Sequence, residues 1–149
     1  MAFTFQNLEI RFILKHKTRL KQWLEQVVLA EKKRVGSINF MFATDEFVLE
    51  QNKRFLKHNT YTDIITFHSN EGACLNGDIL ISVERVKNNA IKFDIPFEEE
   101  LRRVMVHGVL HLCGYKDKTD QERKKMRGME NKALKLFSRL FRCNLLTKS

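Results

Sequence analysis

The segment VMVHGVLHLCGYKD, residues 104–117, constrains this chain more than any other stretch. From Val104 to Cys113 it is apolar nearly all round, the composition of a helix buried on most sides. Two histidines interrupt that surface, and buried polar groups need specific partners. His107 and His111 sit one helical turn plus a little apart, so both imidazoles leave the same face and can reach a single ion. Gly114 can end the helix in a left-handed turn and send the chain back, which swings Asp117 toward the histidines as a third ligand. Two nitrogens and one carboxylate oxygen suit Zn²⁺, one per chain, with a fourth position open for water and therefore for catalysis. Two other readings stand beside this one. The histidines can be satisfied core residues, or Asp117 can cap a helix opening near Thr119 while water or another residue completes the site. Cys113 falls on the far side of the helix from the histidines and reads as packing.

The rest of the chain reads as one domain over residues 1–149, since a single proline and six glycines leave no linker or repeat. Residues 18–34 form an amphipathic helix ended by Gly36, followed by a strand over Ser37–Ala43 and a helix over Asp45–Leu56. Two short strands, Ile64–His68 and Asp78–Ser82, flank a polar loop over 69–77. Ser82 caps a helix reaching Phe93, and Pro96 with Glu98, Glu99 and Glu100 opens the histidine helix. Thr119 and Glu122 form a capping-box pair that opens the last helix. Its apolar stripe is Met126, Met129, Ala133, Leu136, Phe137 and Leu140, with Arg123, Lys124, Arg127, Lys135, Arg139 and Arg142 outside it. The order of elements predicts an α+β fold.

Charge narrows the partner. Lysine and arginine outnumber the acidic residues 27 to 18, and the resulting net charge of +9 favours a polyanion such as RNA, DNA or a ribosome. Three cysteines without paired spacing suit free thiols in a reducing compartment. No leader-like start and no apolar run of membrane length is present, so the expectation is a cytoplasmic protein with no membrane partner and no nucleotide cofactor. His16, His58 and His68 are isolated in the sequence.

The same two-histidine spacing occurs in metzincin proteases, where a glutamate after the first histidine serves as general base. Here that position is Gly108, which cannot move a proton. The string HGVLHLCGYKD instead resembles the signature of the YbeY endoribonucleases, His-Gly-x-Leu-His-Leu-x-Gly-Tyr-Asp-His. His107, Gly108, Leu110, His111, Leu112, Gly114 and Tyr115 match it. Asn52, the TDIITF run over 62–67, the Gly77-Asp78-Ile79 triplet, Met126 and Glu130 extend the resemblance over residues 48–130.

The resemblance implies a small mixed, mainly parallel four-stranded sheet with about five helices. It also implies a zinc-dependent cleavage of single-stranded RNA, in 3′-end maturation of small-subunit rRNA and in ribosome quality control. Two positions depart from the pattern. The third zinc-binding histidine is Asp117, whose full negative charge lowers the Lewis acidity of an ion. A frequent arginine is Leu56, and Lys53, Arg54, Lys57 or His58 are the nearby candidates for its RNA contact. The rival readings are a non-catalytic ribosome-assembly factor with structural zinc, or a metal-dependent hydrolase of another substrate.

Overall fold

The computed structural model describes the backbone of residues 2–147 and the side chains as far as Arg142. The elements run β1 (Ala2–Asn7), α1 (Lys17–Ala30), β2 (Arg34–Ala43), α2 (Asp45–Leu56), β3 (Ile64–His68), β4 (Cys74–Ser82), α3 (Val83–Phe93), α4 (Phe97–Leu112) and α5 (Asp120–Thr147). The four strands form one sheet in the order β1-β2-β4-β3. β1 and β4 run parallel to β2, while β3 is antiparallel to β4. Among the described residues this is the mixed, mainly parallel sheet with five helices that the resemblance implies, and it agrees with the α+β order read from the sequence.

Alternation along the strands sorts the side chains into two layers. Ile38, Phe40 and Phe42 of β2 and Ile79 and Ile81 of β4 enter the large core, where they meet Trp23, Leu24 and Val28 of α1 and Met105, Val109 and Leu110 of α4. The opposite face carries Ala43, Ile65 and Leu80, which pack on Val48 of α2. Burial of each large side chain contributes about 1.5–3 kcal/mol, so the larger layer dominates and fixes α4 against the sheet. The Trp23 indole N–H also donates to the Ala133 carbonyl at 2.7 Å, tying α1 to α5.

Three boundaries differ from the sequence reading, each for a local reason. β1 has no counterpart in that reading; its Phe3 is buried and stacks near Phe40, with ring centres 6.1 Å apart. α1 stops at Ala30, and the left-handed residue that turns the chain is Lys32 at φ 60°, not Gly36. Gly36 lies inside β2, where an added Cβ would stand 2.3 Å from Asn76 Oδ1. That same oxygen accepts a bond from the Ser37 N–H at 2.7 Å and bridges the irregular pairing between Val35 and Ile38. The polar stretch Cys74–Gly77 therefore belongs to β4, which begins four residues before Asp78. On α5 the buried stripe passes from Ala133 and Phe137 to Phe141, and Leu140 is 43% exposed.

Cys74 and Cys113 are free, and the expectation for Cys143 lies outside the described side chains. Burial pushes the Cys113 thiol up to about 12, consistent with packing rather than reactivity. Among the described residues no helix is long and apolar enough to cross a membrane.

Candidate metal centre

α4 is held close to the sheet by its glycine. A Cβ on Gly108 would lie 2.8 Å from Ile79 Cγ2 and 2.9 Å from Ile64 Cδ1, so only glycine permits this approach. The position that carries the base in metzincins thus faces the sheet and not the site. His107 and His111, on the other face, are 20% and 22% exposed at the side chain.

The return of the chain is built as the sequence suggests. Gly114 adopts φ 111°, a value that disfavours any side chain. Its N–H donates to the His111 carbonyl at 3.0 Å, and the Tyr115 N–H donates to Leu110 at 3.1 Å, closing the end of α4. The Tyr115 hydroxyl donates to Glu31 Oε1 at 2.9 Å and pins the turn to the end of α1. Asp117 consequently arrives over the histidines, with Oδ2 3.2 Å from His107 Nε2 and 3.3 Å from His111 Nε2. The cap of α5 is made by other residues: the Glu122 N–H donates to Thr119 Oγ1 at 3.1 Å and the Thr119 N–H donates back to Glu122 at 2.9 Å.

The protonation of the rings follows from their outer nitrogens. His111 Nδ1 lies 2.9 Å from the Tyr115 carbonyl oxygen, which can only accept, so Nδ1 carries the proton. His107 Nδ1 lies 2.6 Å from Glu130 Oε2 and carries a proton for the same reason. In the neutral rings both Nε2 lone pairs then face the Asp117 carboxylate. Three acceptors converging without a positive charge between them repel one another; a divalent cation relieves all three at once. Bonds of about 2.0–2.2 Å at tetrahedral angles place ligand atoms roughly 3.3 Å apart, the spacing of Asp117 Oδ2 from each of the two Nε2 atoms. The donor set of His107, His111 and Asp117, whose ligand atoms all lie within 4.8 Å of one another, fits such an ion.

Residues 5–138 match the family model described as Endoribonuclease YbeY. The chain belongs to the YbeY family. It is 50% identical over 131 residues to the Endoribonuclease YbeY of Flavobacterium psychrophilum, covering 88% of this chain and 94% of that one. A Bacteroides fragilis protein of the same name is 46% identical over 134 residues, with 90% and 96% covered. A solution structure from Thermotoga maritima superposes with a TM-score of 0.66 at 28% identity, covering 95% of this chain and 93% of that one.

Behind the YbeY histidines stands a layer that sequence reasoning did not assign. Glu130 of α5, 7% exposed at the side chain, bonds His107 through one oxygen and accepts from Arg103 Nη1 at 2.9 Å through the other. Burial alone would favour its neutral form, but the bonds from His107 and Arg103 outweigh that and hold its carboxyl below the ordinary range. Burial likewise disfavours charge on His107, yet the Glu130 hydrogen bond and the nearby carboxylates raise its pKa. Such a carboxylate–histidine bond fixes ring orientation and increases ligand basicity. One signal was available in the sequence: Glu130 is a charge inside the stripe of Met126 and Ala133.

The donors open onto a cleft of about 600 Å³. Asp63, at the entry to β3, and Glu100, on α4, line it, and burial raises both carboxyls, Glu100 further through the Asp63 charge. Asn52 sets the path of the chain toward Asp63: its buried amide donates to the Thr60 carbonyl at 2.8 Å. The cations on the cleft are Arg103, Lys118 and Arg127. Leu56, where the YbeY pattern has arginine, also lines the cleft, whereas Lys53, Arg54, Lys57 and His58 are exposed and lie outside its lining.

Proposed function

We propose that this chain is a zinc-dependent, single-strand-specific endoribonuclease that acts in the cytoplasm. Its roles in this reading are maturation of the 3′ end of small-subunit rRNA and ribosome quality control. The observation that carries the proposal is the convergence of His107 Nε2, His111 Nε2 and Asp117 Oδ2 at an accessible cleft in a chain of the YbeY family. Three donors beside open space suit a catalytic ion; a structural ion is closed by four.

His107, His111 and Asp117 hold the ion, which supplies Lewis acidity toward a phosphate oxygen when bound. Glu130 keeps the proton of His107 on Nδ1, and the Tyr115 carbonyl does the same for His111. Arg103 keeps Glu130 ionised for that task. Lys118 and Arg127 bring positive charge to the cleft and favour the approach of a phosphodiester.

The test is elemental analysis joined to a cleavage assay on single-stranded and duplex RNA. About one zinc per chain is expected, with cleavage confined to the single strand and His111→Ala losing metal and cleavage together. Cleavage that survives His111→Ala in a nuclease-free preparation, or a protein that takes up no zinc on titration, refutes the proposal.

A further inference from the structure

The cleft has an apolar side that the metal chemistry leaves unused. Leu56 ends α2 and Phe93 ends α3; both line the cleft, and they are 45% and 54% exposed. Neither belongs to the two buried clusters of the fold. Large apolar surfaces left in water beside a binding cleft gain by being covered.

What covers them is indicated by charge. Among the described residues Lys118 makes no ion pair, and Arg127 approaches a carboxylate only at Glu130, 3.8 Å away, which Arg103 and His107 already bond. Lys92 Nζ lies 5.7 Å from the centre of the Phe93 ring. An aromatic face flanked by cations that lack close carboxylate partners complements a base with a phosphate on either side. A peptide segment matches those cations only where it carries carboxylates, whereas every nucleotide brings a base and a phosphate together.

We propose that Phe93, with Leu56 on the same cleft, is the base-stacking element of the substrate site. It takes one unpaired base of a single-stranded RNA while Lys118 and Arg127 hold the adjoining phosphates. Bases in a duplex have both faces covered by their neighbours, so a stacking residue selects for single strands without reading their sequence. The proposal rests on the endoribonuclease reading above and adds to it the residue that selects the strand.

Base–aromatic stacking changes affinity by roughly 5- to 150-fold per base. Phe93→Ala should therefore raise KM for a single-stranded oligonucleotide by about that factor, with zinc content and thermal midpoint unchanged. Phe93→Trp should restore the wild-type value. An RNA carrying 2-aminopurine, mixed rapidly with zinc-loaded protein and followed before turnover, should lose fluorescence with wild type and with Phe93→Trp but not with Phe93→Ala. Equal KM and equal quenching in wild type and Phe93→Ala overturn the stacking role and leave the nuclease reading intact. A wild type that quenches but never cleaves removes the nuclease reading and keeps the stacking site. No quenching by wild type overturns the proposal.

Discussion

Asp117 is the residue at which binding and capping make opposite demands, and its oxygen stands 3.2 and 3.3 Å from two imidazole nitrogens. Asp117→Ala should weaken zinc binding severely, while Asp117→His should retain the metal, because imidazole can take the same vertex. Calorimetric zinc titration of the two variants checks this; unchanged affinity in Asp117→Ala assigns the third donor elsewhere. Glu130→Gln removes the charge behind His107 and should cost roughly 10–100-fold in zinc affinity, measured in the same way. Glu100 gives a pH-dependent expectation. Its folded pKa is raised by burial first and by the Asp63 charge second, so ionisation opposes folding above that raised value. Glu100→Gln should raise the thermal midpoint at pH about 8, and the gain should vanish as pH falls through the usual carboxylate range near about 4.3, where the carboxyl is neutral in both states. A midpoint difference that persists at low pH would trace the effect to packing instead. The two histidines and Asp117 were legible because one helix and one turn bring them together. Glu130, Asp63 and Glu100 were not read as parts of the site, since only the docking of α5 and β3 onto α4 places them there.

The elements with strong local chemistry were read closely. α2 and β3 match residue for residue, and the caps read at Ser82 and Thr119 each bond an N–H three residues on. The cap of α2 at Thr44, which the sequence reading does not name, bonds the Phe47 N–H in the same way. β1 and the start of β4 were missed because their signals are not local. β1 is short and pairs with residues about thirty-five positions away, Ala2 with Ser37. The start of β4 looks like a loop because Asn76 fills a pairing irregularity with its own amide. Gly108 illustrates an element-level constraint that also has a functional side. Installing a protease-type base by Gly108→Glu would drive a carboxylate against Ile79 and Ile64 at the sheet. It should create no peptidase and cost roughly 3–5 kcal/mol, since the charge would be buried without a partner. Urea denaturation of the variant measures that loss, and a fully stable Gly108→Glu protein would show that α4 can lift off the sheet.

Across the whole molecule the surplus of 27 basic over 18 acidic residues is a surface property. On α5, Arg123, Lys124, Arg127, Lys135, Arg139 and Arg142 are all exposed, as their positions outside the apolar stripe predict. Affinity for single-stranded RNA should therefore fall steeply with salt: neutralising four phosphates gives a loss of roughly 50-fold between about 50 and 200 mM. A flat salt response in a filter-binding titration would mean that these cations do not touch the strand.

The bond between His107 and Glu130 joins the candidate metal centre to α5, and coupling of this kind works in both directions. Whatever free energy Glu130 would lend to zinc affinity, bound zinc would return to the docking of α5. That helix is also held by the Trp23 indole at Ala133, about one turn further on. Removing zinc by chelation should therefore quicken amide hydrogen exchange along α5 around residue 130 more than along the sheet. Metal supply would then regulate how firmly the protein presents its most basic helix, quite apart from whether it can cut.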